Sequence, residues 1–156
     1  MNLANKNIGY QYGSANPASG GMDCSGTIYY ILNQVGIKEV PRPSNLIYSW
    51  ALERGHFYPV TDHQFSSTQF AHLQPGDLLF WSGTYNVVHV PNVTHVMVYI
   101  GKNKEGQPLM AGASDGRTYK GRQIYGVSVF DFQLPPLTSK SKFLGYSCTP
   151  GINCLK

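Results

Sequence analysis

The chain has 156 residues, of which 42% are apolar and 13% are charged, and its formal net charge is +4. This length fits one domain with its own core, and the composition excludes a largely disordered chain. No apolar run is long enough to span a membrane. The positive charge mildly favours anionic partners such as cell-wall polymers, membranes or nucleic acid, but the basic residues are too dispersed for a nucleic-acid-binding surface.

A loop rich in Gly, Ser and Pro runs up to residue 21 and is followed by a predicted helix. Apolar residues recur there at helical spacing, namely Ile28, Ile31, Leu32 and Val35. Asp23 is the predicted N-cap and Gly36 the predicted stop. Cys24 would then lie in the first turn, where unpaired N–H groups and the helix dipole favour a thiolate. A buried structural cysteine is the ordinary alternative, but the polar and small neighbours favour a nucleophile.

The rest of the chain predicts one more helix and then a run of strands. Ser44 is a candidate cap for a helix over about 45–54 with Leu46, Ile47 and Trp50 on its apolar face, ending at Gly55. Strands are predicted near 78–81, 94–101, 109–114, 126–132 and 143–147, with a turn at Asp115-Gly116-Arg117. Helices followed by an antiparallel sheet indicate an α+β fold.

A thiol nucleophile needs a base, and the chain has five histidines. His95 begins a predicted strand that would hold it rigidly, on the same strand face as Met97 and Tyr99. The remaining four, His56, His63, His72 and His89, fall in predicted loops. A zinc site built from Cys24, His89 and His95 is disfavoured because no paired Cys or His motif has the usual ligand spacing. We therefore expect no metal and no cofactor.

Cys148 and Cys154 lie close together near the C-terminus, on either side of the turn signal Pro150-Gly151. A disulfide between them would indicate an oxidising compartment and leave Cys24 as the odd thiol. Two unpaired cysteines in a cytosolic protein are the alternative. The first residues do not form a signal peptide. We therefore expect that a leader was removed beforehand, that the protein leaves the cell by another route, or that it stays inside.

Five sequence segments resemble, in order, the NlpC family of papain-like cysteine peptidases, which cut bacterial cell-wall peptides. They are Tyr10-x-Tyr12-Gly13, Met22-Asp23-Cys24-Ser25-Gly26, Pro41-Arg42-Pro43-Ser44, Leu73 to Phe80, and Thr94 to Gly101. The resemblance covers about residues 8 to 147. It implies a papain-like fold with N-terminal helices packed on an antiparallel sheet, as a single catalytic domain over 1–147 with a tail over 148–156.

The resemblance also implies a role for several residues. Cys24 would be the nucleophile and His95 the general base, and the backbone N–H of Cys24 would help to form an oxyanion hole. The cleft tyrosine of the family corresponds to Tyr10, with Tyr12 as the second choice, and Asp23 and Ser25 would help to bind substrate. The expected partner is a peptidoglycan stem peptide, cut for example next to D-glutamate. A monomer in the periplasm or outside a bacterial cell is expected.

The third catalytic position departs from the family pattern. The family usually places His, Asn or Gln on the strand after the hairpin, and aligning the end of that strand puts Gly112 there. Ser114, on the same strand face, is one candidate to orient the imidazole. Gln107, reached by counting forward from His95, is the other. A backbone carbonyl or a water could also do so, and a weaker orienting group would lower activity without abolishing the Cys–His pair.

Two other functional classes stay open at this point. The same Cys–His pair could serve an amidase, an acyltransferase or a secreted effector acting on another amide or acyl substrate. Lipid-acting relatives carry His before Cys, whereas here Cys24 precedes His95. A catalytically inactive binding module is disfavoured by the intact pair.

Overall fold

The computed structural model describes residues 23–83, 93–119, 122–135 and 138–154, and within them the side chains of 114–119 and 122–125 are left aside. Two helices come first, α1 (Cys24–Gln34) and α2 (Ser44–Arg54). Six strands follow: β1 (Phe57–Pro59), β2 (Leu78–Ser82), β3 (His95–Lys102), β4 (Pro108–Tyr119), β5 (Arg122–Asp131) and β6 (Lys142–Ser147), with a short 3₁₀ helix at Thr68–Phe70 between β1 and β2.

The strands form one antiparallel sheet in the order β1-β6-β2-β3-β4-β5. The two helices pack on this sheet, which confirms the predicted α+β, papain-like arrangement. Side chains on the helix-covered face include Leu78, Phe80 and Val96, which join Ile28 and Ile47 in one core cluster. The opposite face carries a second, strongly aromatic cluster. The alternation predicted for β3 is confirmed, because Val96 and Met97 belong to different clusters.

Helix α1 begins and ends where the sequence predicts. The Oδ1 of Asp23 accepts a hydrogen bond from the Gly26 N–H at 2.6 Å, which is an N-cap. At the other end Gly36 has a φ of 97°, and the Ile37 N–H donates to the Leu32 carbonyl at 2.9 Å. This pairing is a Schellman stop, which a glycine makes without strain. Ile28 and Leu32 are buried, and each stabilises the packing by roughly 1.5–3 kcal/mol.

Helix α2 corrects two details of the prediction. Pro43 occupies the N-cap position, and the hydroxyl of Ser44 does not cap the helix but donates to the Val93 carbonyl at 3.0 Å. Leu46, predicted on the apolar face, is 47% exposed, whereas Ile47, Trp50 and Ala51 are buried. The helix stops at Gly55 as predicted.

The hairpin of β4 and β5 is longer than predicted. Residues 115–117 do not form a turn: the ladder passes them with a register shift between Asp115 and Arg117 and continues to Tyr119, opposite Arg122. The single extra residue is Gly116, which gives a β-bulge in a continuous hairpin. In the sequence, an Asp-Gly pair between two strand-like stretches resembles a hairpin turn. In the structure, Asp115 and Arg117 both pair with residues of β5.

Cys148 and Cys154 are joined in a disulfide, which is one of the two alternatives that the sequence leaves open. The loop that it closes packs on the turn before β2. Thr149 Oγ1 donates to the Gly76 carbonyl at 2.6 Å, and Asn153 Nδ2 donates to the Pro75 carbonyl at 3.1 Å and to Asp77 Oδ1 at 2.8 Å. These contacts tie the end of the chain to the sheet.

Candidate active site

The cap of α1 determines where Cys24 lies. Because Asp23 is the N-cap, Cys24 is the first helical residue, and the Thr27 N–H donates to the Asp23 carbonyl at 2.9 Å. The backbone N–H groups of a helix's first turn carry the positive end of the helix dipole. A thiolate or a developing oxyanion is stabilised at such a position.

The thiol of Cys24 lies against the start of β3. Its Sγ is 3.9 Å from the carbonyl oxygen of Thr94, to which it donates a weak hydrogen bond, and Thr94 is followed directly by His95. Cys24 is only 6% exposed and packs in the core cluster that contains Val93 and Val96. Since the other two cysteines form the disulfide, Cys24 is the one that keeps its thiol.

His95 is the first residue of β3 and is also 6% exposed. Two hydrogen bonds hold the chain just before it: the Ser44 hydroxyl donates to the Val93 carbonyl, and the Thr94 N–H donates to the Trp81 carbonyl, both at 3.0 Å. The start of β3 is therefore fastened to α2 on one side and to β2 on the other. The structure thus brings Cys24 to the residue that precedes His95.

Two of the other histidines lie elsewhere. The rings of His56 and His72 both stack on Tyr58 of β1, with centroid distances of 4.5 and 4.7 Å. Strand β1 is at the edge of the sheet and is separated from β3 by β6 and β2. Among the histidines that the structure describes, His95 is the one that directly follows the residue in contact with Cys24.

Arg42 joins the residues on either side of Cys24. Its Nη1 donates to Ser25 Oγ at 2.8 Å, and its Nη2 donates to Asp23 Oδ1 at 3.1 Å. The guanidinium is 31% exposed, whereas Asp23 is nearly buried. This pairing holds the capping carboxylate against the helix start and places a positive charge next to the two residues that flank Cys24.

Sequence reasoning gave Arg42 no role of its own, although Pro41-Arg42-Pro43-Ser44 was one of the matching segments. The partners are 17 and 19 residues away, so no local pattern indicates them. The available signal was the two flanking prolines, which restrict the backbone around a single arginine. Asp23 and Ser25 were predicted to bind substrate. Their side chains contact Arg42, and the substrate-binding role stays a prediction.

The strand pairing gives a physical account of the third position. Gly112 faces Met97, and a Cβ at Gly112 would clash with the Sδ of Met97. The thioether of Met97 therefore fills the space that a side chain at residue 112 would need. The described pairing of β3 with β4 runs from Lys102 and Pro108 to Val98 and Ala111, and so ends before His95 and Ser114. The side chain of Ser114 is outside the description, so its role stays a prediction.

Gln107 is a different case. It is exposed in the turn between β3 and β4, where its N–H donates to Asn103 Oδ1 at 2.9 Å. His95 is at the opposite end of β3, about 20 Å away for a strand of this length. We therefore correct the assignment of Gln107, because it is too far from His95 to orient the imidazole.

Three further predicted residues lie outside the described part of the chain. They are Tyr10 and Tyr12, the candidates for the cleft tyrosine, and His89 of the disfavoured zinc set. Within the described residues, no helix is long and apolar enough to cross a membrane.

Comparison with known protein families places the chain among its relatives. The model of the NlpC/P60 family matches residues 7–120, which include Cys24, Arg42 and His95. No curated protein matches the chain. The match covers well over half of the 156 residues. The chain belongs to the NlpC/P60 family.

Proposed function

We propose that the protein is a cysteine peptidase that hydrolyses peptide bonds in peptidoglycan stem peptides through Cys24 and His95. NlpC/P60 proteins are hydrolases of the cysteine peptidase and amidase type that act on cell-wall peptides. The observation that carries the proposal is the position of Cys24, the first residue of α1, with its Sγ 3.9 Å from the carbonyl of the residue before His95.

The reaction would proceed in two stages. The imidazole of His95 takes the thiol proton, and Cys24 Sγ bonds to the carbonyl carbon of the substrate. The N–H of Cys24, at the start of α1, donates to the oxygen that becomes negatively charged. The C–N bond then breaks as the imidazolium gives its proton to the leaving amine. Water attacks the resulting thioester with His95 as base, which releases the acid and restores the thiol.

Arg42 and Asp23 would support this chemistry without reacting. The capping hydrogen bond of Asp23 keeps the first turn of α1 formed, and Arg42 holds the carboxylate of Asp23 and the hydroxyl of Ser25. The positive guanidinium of Arg42 offsets the negative carboxylate of Asp23. The thiolate of Cys24 is therefore not opposed by an unpaired negative charge on the neighbouring residue. Ser114, further along β4, is the candidate third residue.

The family and the disulfide together suggest where the protein works. NlpC/P60 proteins are often extracellular or periplasmic. The disulfide between Cys148 and Cys154 is of the kind that persists in oxidising compartments. We propose a secreted or periplasmic bacterial protein that acts on peptidoglycan as a monomer, and the net charge of +4 suits an anionic wall.

The test is digestion of purified peptidoglycan, with the released fragments identified by mass. We expect Cys24→Ala to lower the rate at least about 10³-fold and His95→Ala to lower it roughly 10²- to 10⁴-fold. His56→Ala is the matched control, because His56 stacks on Tyr58 away from β3, and it should digest like the wild type. The fragment masses would name the bond that is cut.

Two outcomes would contradict the proposal. If Cys24→Ala releases the same fragments, Cys24 is not the nucleophile. If the wild type leaves several wall types intact while Cys24 is rapidly alkylated, the protein acts on another amide or acyl substrate, as an amidase or acyltransferase would.

A further inference from the structure

The indole of Trp81 lies against the imidazole of His95. The two residues are directly opposite each other in the β2–β3 ladder, and their ring centroids are 5.3 Å apart with the planes at 57°. Trp81 is fully buried. Opposed side chains of an antiparallel pair contact each other on one face of the sheet, so His95 is held from the β2 side by an aromatic ring.

Trp81 is itself held firmly. Its ring makes edge-on contacts with Phe143 and Phe132, at centroid distances of 5.1 and 5.9 Å, and these two rings contact each other at 5.2 Å. Its carbonyl accepts the hydrogen bond of the Thr94 N–H. A side chain locked on several sides can restrict the orientation of its neighbour.

Met97 bounds the same space along β3. It lies two residues after His95 on the same strand face, it is fully buried, and its Sδ covers Gly112. His95 is therefore flanked by the indole of Trp81 on the neighbouring strand β2 and by the thioether of Met97 on its own strand. Both neighbours restrict the ring by packing.

We propose that Trp81 is a positioning residue for His95, holding the imidazole in the orientation in which it exchanges a proton with Cys24. This inference rests on the proposed function, because it assumes that His95 is the base. A buried aromatic ring packed against the imidazole limits the orientations that the imidazole can adopt. The contribution of such contacts corresponds to about a tenfold effect on rate.

The test measures the rate at which iodoacetamide alkylates Cys24 from pH 5 to 9, which requires no knowledge of the natural substrate. We expect Trp81→Leu to alkylate about tenfold more slowly near neutral pH, towards the rate of His95→Ala. Trp81→Phe should recover much of the wild-type rate, because it keeps an aromatic face. In peptidoglycan digestion, Trp81→Leu should lower kcat with little change in KM.

A matched control separates positioning from general stability. Phe130 is buried in the same aromatic cluster but lies on β5, three strands away from β2. Phe130→Leu should lower the melting temperature to a similar extent and leave the alkylation profile unchanged. Asp23 and Arg42, the charged side chains described at the first turn of α1, are kept in every variant, so they do not account for a difference.

Each remaining outcome decides a separate question. If Trp81→Leu folds and alkylates like the wild type at every pH, the inference is overturned. If Trp81→Leu does not fold, Trp81→Phe and Trp81→Met decide, and equal alkylation rates for these two would overturn it. If His95→Ala alkylates like the wild type, the Cys–His pair itself fails, which is a failure of the proposed function.

Discussion

Two buried aspartates, Asp23 and Asp77, have similar local roles and different surroundings. They are 6% and 2% exposed, and each accepts a backbone N–H three residues away in a turn, from Gly26 and Gln74 respectively. Asp23 is also paired with the guanidinium of Arg42. Asp77 accepts hydrogen bonds from neutral donors, the Gln74 N–H and the Asn153 amide.

This difference in partners has electrostatic consequences. Burial raises the pKa of Asp77 above its ordinary value of 3.8, and the hydrogen bonds from Gln74 and Asn153 lower the pKa only in part. Burial is also the main reason why the pKa values of Tyr99 and Tyr146 are raised, and the nearby charge of Asp77 adds to both. Asp77 thus anchors the disulfide loop to the sheet at an electrostatic cost. Asp23 has a cation beside it, at the helix start that carries the thiol.

The largest effect is expected when the cation is removed from Asp23. Arg42→Ala leaves a nearly buried carboxylate next to Cys24 and removes the contact with Ser25. Breaking a fully buried ion pair costs about 3–5 kcal/mol. Because Arg42 is 31% exposed, we expect the free energy of unfolding to fall by about 1–3 kcal/mol. The alkylation of Cys24 should slow at least about tenfold, because the unpaired carboxylate opposes a thiolate.

Urea unfolding and iodoacetamide labelling measure these two effects. Arg42→Lys keeps the charge but cannot donate to both side chains in the same fork geometry, so it should recover the labelling rate only in part. Unchanged stability and labelling in Arg42→Ala would show that the pairing contributes to neither.

The second prediction concerns the disulfide loop that contacts Asp77, and it leaves the residues around Cys24 unchanged. Replacing Cys148 and Cys154 with serine opens a loop closed across six residues of sequence. The chain-entropy relation gives a loss of about 2 kcal/mol for a loop of this size. The described hydrogen bonds of the loop go to Gly76 and Asp77 and not to the first turn of α1, so hydrolysis at temperatures well below the melting point should be unchanged.

Thermal melting with and without reductant, followed by peptidoglycan digestion, checks this prediction. The wild type in reductant should melt like the double serine variant. A large loss of hydrolysis in the folded variant would mean that the disulfide loop and the first turn of α1 are coupled, contrary to the division drawn between the two aspartates.

The third prediction concerns the pH dependence of the Asp77 site. Asn153→Ala removes donors to Asp77 and to the Pro75 carbonyl, and we expect a loss of about 1–3 kcal/mol at pH 7. Because the hydrogen bond from Asn153 lowers the pKa of Asp77, its loss raises that pKa further. A raised pKa destabilises the fold as pH increases from the unfolded value of 3.8 through the folded one. The loss should therefore be larger at pH 7 than at pH 4.

Urea unfolding at the two pH values gives the comparison. Asn33→Ala is the control, because the Asn33 amide donates to the Tyr29 carbonyl and to no carboxylate in the described contacts. Its effect should be the same at both pH values. An equally pH-independent effect for Asn153→Ala would show that the amide does not support the charge of Asp77.

The features that could be predicted from the sequence are those that depend on residues close together in the chain. Asp23 and Gly36 mark the ends of α1, and the alternation in β3 assigns its two faces, because caps and periodicity act within a few residues. The α+β class follows from the order of these elements. For the same reason Cys24 at the helix start and His95 at the strand start could be found without coordinates.

The rest depends on pairing between distant segments. Arg42 reaches back to Asp23, the Ser44 hydroxyl reaches Val93 instead of capping α2, and Trp81 meets His95 through strand register. Strand β1 has three residues, too few to show an alternating pattern, and the sequence around the Gly116 bulge resembles that of a turn. Each of these features requires a choice among long-range partners that the sequence pattern leaves open.

The smallest effect is expected at a second ion pair, which serves as a reference for Arg42. Arg54 donates to Glu39 at 3.2 Å, but both side chains are more than half exposed. Water screens such a pair, and its side chains lose entropy when they are held together, so Arg54→Ala should change the free energy of unfolding by less than about 0.5 kcal/mol. Cys24 labelling should not change. A loss as large as that of Arg42→Ala, measured by the same urea titration, would mean that burial beside α1 does not distinguish the two arginines.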